Sequence, residues 1–365
     1  MAPKIFLTGA TGYIGGDAFY VLYKTHPDYD YTLLVRSQSK ADLVTKAYPD
    51  AKNIHFVFGD NNSADVISAA AAAADIVIHT GQSADDIPST KAIIDGIVKG
   101  HTASNPGVYI HISGTGLLTW YDHEHKRYGQ PPLPDQTYND YEGIEKLISG
   151  IPDSAPHRDV ELVILAAARE HGDVLRPAIV APPTIYSAGR GPDNQRSIQV
   201  PILAEYLLKK GYAPIAEGSG ETEWDNVHVH DLSNAIASLV EAGLNPAKRD
   251  DAGDKTLGGI FGPQSFHFTI TATHKWSDVA RWVAAAGADQ KLVPNATTKS
   301  EPIAILTSKD APGFPGANIT WAANSHGEAV RAYKLLGWTP TGRSLQDDVP
   351  QQVADEAKRL GISPK

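Results

Sequence analysis

The stretch Phe6-Leu-Thr-Gly-Ala-Thr-Gly-Tyr-Ile-Gly-Gly16 constrains this chain more than any other, with four glycines in eleven residues directly behind a short apolar run. Gly9, Gly12 and Gly15 stand at Gly-x-x-Gly-x-x-Gly spacing. The pattern predicts a strand over Lys4–Thr8, a tight turn, and a helix from Tyr13. Residues without a Cβ let a helix N-terminus lie against a pyrophosphate and donate its free N–H groups, and let the helix pack close to the strand before it. Placed after a first strand and before a helix, the triplet points to a bound dinucleotide, held by Gly9, Thr11, Gly12, Tyr13, Ile14 and Gly15.

Beyond this turn the chain alternates between strand and helix. Strands are expected at Tyr31–Val35, Ile54–Phe58, Asp75–His79, Val108–Ser113 and Val174–Ala181. Helices are expected at Tyr13–Lys24, Ser39–Tyr48, Ala64–Ala74, Ile87–Lys99 and Asp159–His171. The strands are short, continuous and β-branched, as in a sheet covered on both faces. The fold class is therefore α/β, a Rossmann-like doubly wound parallel sheet with a smaller, mostly C-terminal substrate-binding unit. Residues 1–183 form the nucleotide-binding domain, with an irregular segment at 114–156. Residues 184–365 form a mixed part, helical at Val200–Lys210, Trp276–Ala286 and Glu328–Leu336, in which 224–245 returns to the core.

In such a sheet the ligand lies across the carboxyl ends of the strands. The second strand ends in Val35-Arg36-Ser37, with Lys40 behind, where an NAD-binding chain would carry a carboxylate. Arg36 is a forked donor suited to a ribose 2′-phosphate, and no carboxylate lies nearby to repel one, so the expected cofactor is NADP(H). Asp60 and Asn61 end the third strand, and Thr80 and Gly81 the fourth. Pro182 and Thr184, after the sixth, are expected beside the nicotinamide.

With these residues in place the sequence resembles the short-chain dehydrogenase/reductase superfamily, in the extended or atypical branch that holds NAD(P)-dependent epimerases and dehydratases and NmrA-like proteins. The resemblance rests on Thr8-Gly-Ala-Thr-Gly-Tyr-Ile-Gly15, Gly59-Asp60, Ser113, Ala181-Pro-Pro-Thr-Ile-Tyr186 and Trp224-Asp-Asn-Val-His-Val-His-Asp231, spanning roughly 4–245. It implies hydride transfer at a carbon bearing oxygen, with a Tyr exchanging the proton, a Lys four residues later lowering the Tyr pKa, and Ser113 steadying the substrate oxygen.

The Tyr-x-x-x-Lys pair is missing from its place. Tyr20/Lys24, Tyr48/Lys52 and Tyr206/Lys210 match the spacing outside the interval between the fifth and sixth strands. Inside it, Tyr141 and Lys146 are five apart, about 140° round a helix. Tyr138 is the first choice for a displaced proton relay, with Arg158 supplying positive charge. The expected function is an NADP(H)-dependent oxidoreductase acting on a small carbonyl or secondary alcohol. The alternatives are a non-catalytic NADP(H)-binding regulator and a nucleotide-sugar epimerase.

Composition narrows the remaining classes. With 32 Lys and Arg against 42 Asp and Glu the formal charge is −10, which disfavours nucleic acid or an anionic membrane as partner. The absence of cysteine excludes disulfides and thiolate chemistry, and no apolar stretch reaches the ~18 residues of a span. A cytoplasmic protein with a small-molecule substrate is expected, with a homodimer as one option for its assembly. His123 and His125, and His228 and His230, alternate as metal ligands on a strand can, but the reading is that no metal is bound. Arg190, Asn194, Gln195 and Arg196 fall where substrate borders extended members, where two arginines could hold an anion, and Trp224 is a candidate pocket wall.

Overall fold

The computed structural model describes residues 2–313 and 317–364. The alternation begins β1 (Lys4–Thr8), α1 (Tyr13–Thr25), β2 (Asp30–Val35), α2 (Gln38–Ala47), β3 (Ile54–Phe58), α3 (Ala64–Ala73), β4 (Ile76–His79), α4 (Ile87–Gly100) and β5 (Gly107–Ile112). The irregular segment carries α5 (Trp120–His125), β6 (Thr137–Asn139) and α6 (Ile144–Ser149). The pattern resumes with α7 (Arg158–Glu170) and β7 (Leu175–Ala181). Then come β8 (Thr184–Tyr186), α8 (Gln199–Lys210), β9 (Ala213–Ala216), β10 (Glu223–His228), α9 (Val229–Leu244), α10 (Pro246–Arg249), β11 (Phe266–Phe268), β12 (Ala272–Lys275), α11 (Trp276–Asp289), β13 (Thr298–Glu301), α12 (Ile303–Leu306), β14 (His326–Glu328), α13 (Arg331–Leu336) and α14 (Leu345–Leu360).

The main sheet has seven strands in the order β11-β7-β5-β4-β1-β2-β3, all parallel. β1 lies between β2 and β4, with Phe6 opposite Thr32 on one side and Val77 on the other. The period of two sends Ile5 and Leu7 into one core, with Phe19 and Leu22 of α1 and Ile236 and Val240 of α9. Phe6 enters the other, with Ile67 of α3, Ile93 and Ile97 of α4 and Ile164 of α7. Residues 229–244 thus cover the Rossmann sheet, although they follow the start of the second unit.

A third core holds the smaller unit. Leu203 and Tyr206 of α8, Val279 and Val283 of α11, and Val349 and Val353 of α14 meet there. Burying each aliphatic side chain stabilises by roughly 1.5–3 kcal/mol. Beside it a short sheet runs β12-β10-β8, in which Asn226 sits opposite Thr184.

One C-terminal reading changes. Glu328–Leu336 is not one helix: His326–Glu328 is a strand paired with Thr137–Asn139, and the helix starts at Arg331. The Glu328 end is held by this pairing, because Asn139 Nδ2 donates to Glu328 Oε2 at 2.8 Å. Helix α14, capped by Ser344, runs through Pro350. No helix of the described residues is long and apolar enough to cross a membrane.

Candidate active site

The glycine turn folds as its composition requires. Gly9 takes φ +80°, and its carbonyl accepts the Gly12 amide at 2.8 Å. A Cβ on Gly15 would come within 2.3 Å of Gly9 O and of Thr80 Oγ1, so no larger residue fits between turn and helix. Gly12 caps α1 with no side-chain acceptor, which leaves the first-turn amides available to a ligand. The turn therefore fits the phosphates of a dinucleotide.

A cleft of about 670 Å³ opens here. Gly9, Thr11, Gly12, Arg36, Asp60, Asn61, Thr80 and Gly81 all line it, from the ends of β1, β2, β3 and β4. Tyr13, Ile14 and Gly15 form the helix start behind. Arg36 is exposed and makes no hydrogen bond or ion pair among the described residues. The expectation that no carboxylate lies nearby is corrected: Lys40 is ion-paired with Asp193, and Asp193 and Asp86 both line the cleft. Asp193 arrives from the chain after β8, a proximity that only the tertiary fold creates. Asp60 is itself tied into its turn, accepting from the Asn62 amide at 2.9 Å.

The segment that brings Asp193 crosses the start of α1. Tyr13 Oη donates to Ser187 O at 2.6 Å, and the Asn194 amide to Thr11 O at 3.2 Å. Arg190 grips the buried Asp17 with its amide and with both ends of its guanidinium, at 2.8, 3.0 and 2.7 Å. Burial alone would raise the Asp17 pKa, but the Arg190 hydrogen bonds bring it below the ordinary value. Arg196 is similarly engaged with Glu356, at 2.9 and 3.1 Å. Both arginines are thus paired within the protein. Trp224 donates to Ala323 O and is buried in the third core. The histidine pairs have local partners too. His123 Nδ1 contacts Tyr128 Oη, His125 stacks on Tyr121, and His228 Nδ1 accepts the His230 amide at the head of α9.

At the end of β5, Ser113 Oγ donates to Glu161 Oε1 at 2.5 Å, and both are buried. Burial pushes the Glu161 carboxyl up to about 7, against the opposing effects of Ser113 and Arg158. Beside them His157 Nδ1 is 2.7 Å from Asp85 Oδ1. Arg158, 1% exposed, turns inward to Ile148 O and Glu161. Tyr138, 3% exposed, accepts a hydrogen bond from Trp120 Nε1 at 2.8 Å within the second core. Neither lines the dinucleotide cleft. Pro182 and Thr184 are buried as well, Pro182 accepting the Thr115 amide at 3.0 Å. Nothing in the sequence alone singles out Glu161 and His157. They hold a spacing of four at the start of α7, in the interval where the family's Tyr-x-x-x-Lys pair belongs.

Sheet order, glycine turn, cleft and Ser113 together define a nicotinamide-dinucleotide-binding α/β protein. Residues 9–149 match a family model described as NAD(P)H-binding. The chain is 31% identical over 363 residues, covering 100% of this chain and 100% of the other, to oxidase ucsJ of an Acremonium species. It belongs to one family with that oxidase and carries an NAD(P)H-binding family domain over residues 9–149. In fold it is similar to the UDP-glucose 4-epimerase of Thermotoga maritima, solved with UDP-glucose, at 16% identity, covering 98% of this chain and 99% of that one, with a TM-score of 0.60. It is also similar to the dTDP-glucose 4,6-dehydratase DesIV of Streptomyces venezuelae, solved with NAD, at 15% identity, covering 98% of each chain, with a TM-score of 0.62.

Proposed function

We propose that this protein is an NADP(H)-dependent oxidoreductase acting on a small carbonyl or secondary alcohol. The dinucleotide would supply or accept a hydride at its nicotinamide. The residues that would hold it are the Gly9–Gly15 turn at the phosphates, Arg36 at the 2′-phosphate, and Asp60, Asn61, Thr80 and Gly81 along the strand ends. The observation that carries the reading is the free Arg36 guanidinium in a cleft whose other cation, Lys40, is already paired.

Ser113 would orient the substrate oxygen, and Glu161 sets which way its hydroxyl points. With Glu161 ionised, the Ser113 O–H is committed to the carboxylate. With Glu161 protonated, the carboxyl donates to Ser113 Oγ and frees that O–H to donate to a carbonyl oxygen. A carboxyl at about 7 keeps both states populated near neutrality.

Calorimetry with NADPH and NADH, followed by NADPH consumption against a panel of aldehydes and ketones, tests the reading. Preference for NADPH with turnover supports it. Tight binding without turnover on any carbonyl would favour the cofactor-sensing alternative, which the missing Tyr-x-x-x-Lys pair also favours. No binding of either coenzyme removes the reading.

A further inference from the structure

The turn after β4 serves two places at once. Gln82 and Asp86 line the dinucleotide cleft, while Asp85, between them, holds His157 Nδ1 at 2.7 Å. A carboxylate only accepts, so Nδ1 carries the proton and Nε2 is left to accept one or, once protonated, to give it up. Nε2 has no hydrogen-bond partner among the described residues. It lies over the two glycines that follow Ser113, and a Cβ on Gly116 would stand 2.9 Å from it. The backbone of His157 is left-handed, with φ +67° and ψ −12°, uncommon for a residue with a side chain and found where surroundings over-determine a site. Its side chain is 23% exposed. Its neighbour Pro156 lines a cleft of about 380 Å³ with Trp120, His123, Glu124 and Ser154.

We infer that His157 is the residue that exchanges a proton with the substrate oxygen, with Asp85 as its positioning residue. The inference rests on the oxidoreductase reading above. In the reducing direction a hydride and its electron pair reach the carbonyl carbon, and the C–O π pair moves onto oxygen. That oxygen takes the proton from His157 Nε2, and the N–H bonding pair stays on nitrogen. Oxidation of the alcohol runs the same transfers backwards, with Nε2 receiving the hydroxyl proton. The hydrogen bond from His157 also holds the Asp85 carboxyl below its ordinary range.

The first test needs no turnover. Diethyl pyrocarbonate acylates accessible imidazoles, and mass spectrometry of the full chain locates the adducts. NADP⁺ should protect His157 several-fold while leaving the exposed His55 equally modified. Equal labelling of His157 with and without bound NADP⁺ overturns the inference. In the carbonyl panel, His157→Gln should lower kcat by about 10²–10⁴-fold with NADPH affinity held within about twofold. Asp85→Asn should lower kcat less, and Asp85→Glu should recover part of it. Turnover that survives His157→Gln overturns the role alone. A wild-type protein that binds NADPH and turns over no carbonyl removes the oxidoreductase reading, and this role with it.

Discussion

Ser113 Oγ lies 2.5 Å from Glu161 Oε1, and this contact joins the end of β5 to the start of α7. It places a fully buried carboxyl, raised to about 7 by desolvation, against the hydroxyl that ends the central sheet. The folded state therefore holds a proton there that the unfolded chain releases near 4.5. The stability this proton confers is complete below the unfolded value and is lost as pH rises through about 7. Glu161→Gln cannot ionise, so it should gain on the wild type with rising pH, by up to about 3 kcal/mol across that window. Urea midpoints at a series of pH values measure the difference. Parallel curves for the two proteins would contradict it. Asp140, raised by burial to about 6, has the same sign and persists in both.

Arg36→Asp should weaken NADPH binding by about 10–100-fold more than NADH binding, the worth of a charge-assisted contact to a 2′-phosphate. Calorimetric titration with each coenzyme reads this directly, and an equal loss for both would remove Arg36 from the 2′-phosphate.

Gly15→Ala drives a methyl group onto Gly9 O and Thr80 Oγ1. The turn must open to admit it, at a cost of about 1–3 kcal/mol for overpacking. Thermal unfolding should show the loss, and calorimetry should show coenzyme binding abolished. Unchanged affinity would mean that the turn does not carry the phosphates.

Arg190→Ala leaves the Asp17 carboxyl without its guanidinium partner in a pocket where its side chain has no exposure. The expected cost is about 3 kcal/mol, and the double variant with Asp17→Asn should be less destabilised than the single one. Denaturant midpoints decide this, and strict additivity of the two substitutions would show that the pair is uncoupled.

The sheet was readable from the sequence because β1 to β5 and β7 are short, mainly apolar runs set between helices of ordinary length. Bounds there agree within about two residues, the usual looseness of helix and strand ends. Local chemistry also marked the cleft: Gly9, Arg36, Asp60 and Thr80 each lie where a strand ends. What eluded the sequence was non-local. Strand β14 exists because Gly327 pairs with Tyr138. Asp193 meets Lys40 only through the fold. Helix α14 has apolar residues at Leu345, Val349, Val353 and Ala357, a spacing of four, but Pro350 and the flanking polar residues hide it. Arg158 was distinguished by its charge, yet α7 turns it inward and presents Glu161 to Ser113 instead. A count along the helix from Arg158 would have reached that pair only with the helix phase known.

Asp193 and Asn194 belong to two cavities. They line the dinucleotide cleft on one side, and on the other a second hollow of about 670 Å³ floored by Gln352, Glu356 and Arg359 of α14. A single stretch of main chain is thus a party wall. The C-terminal helix therefore shares a boundary with the space above the sheet.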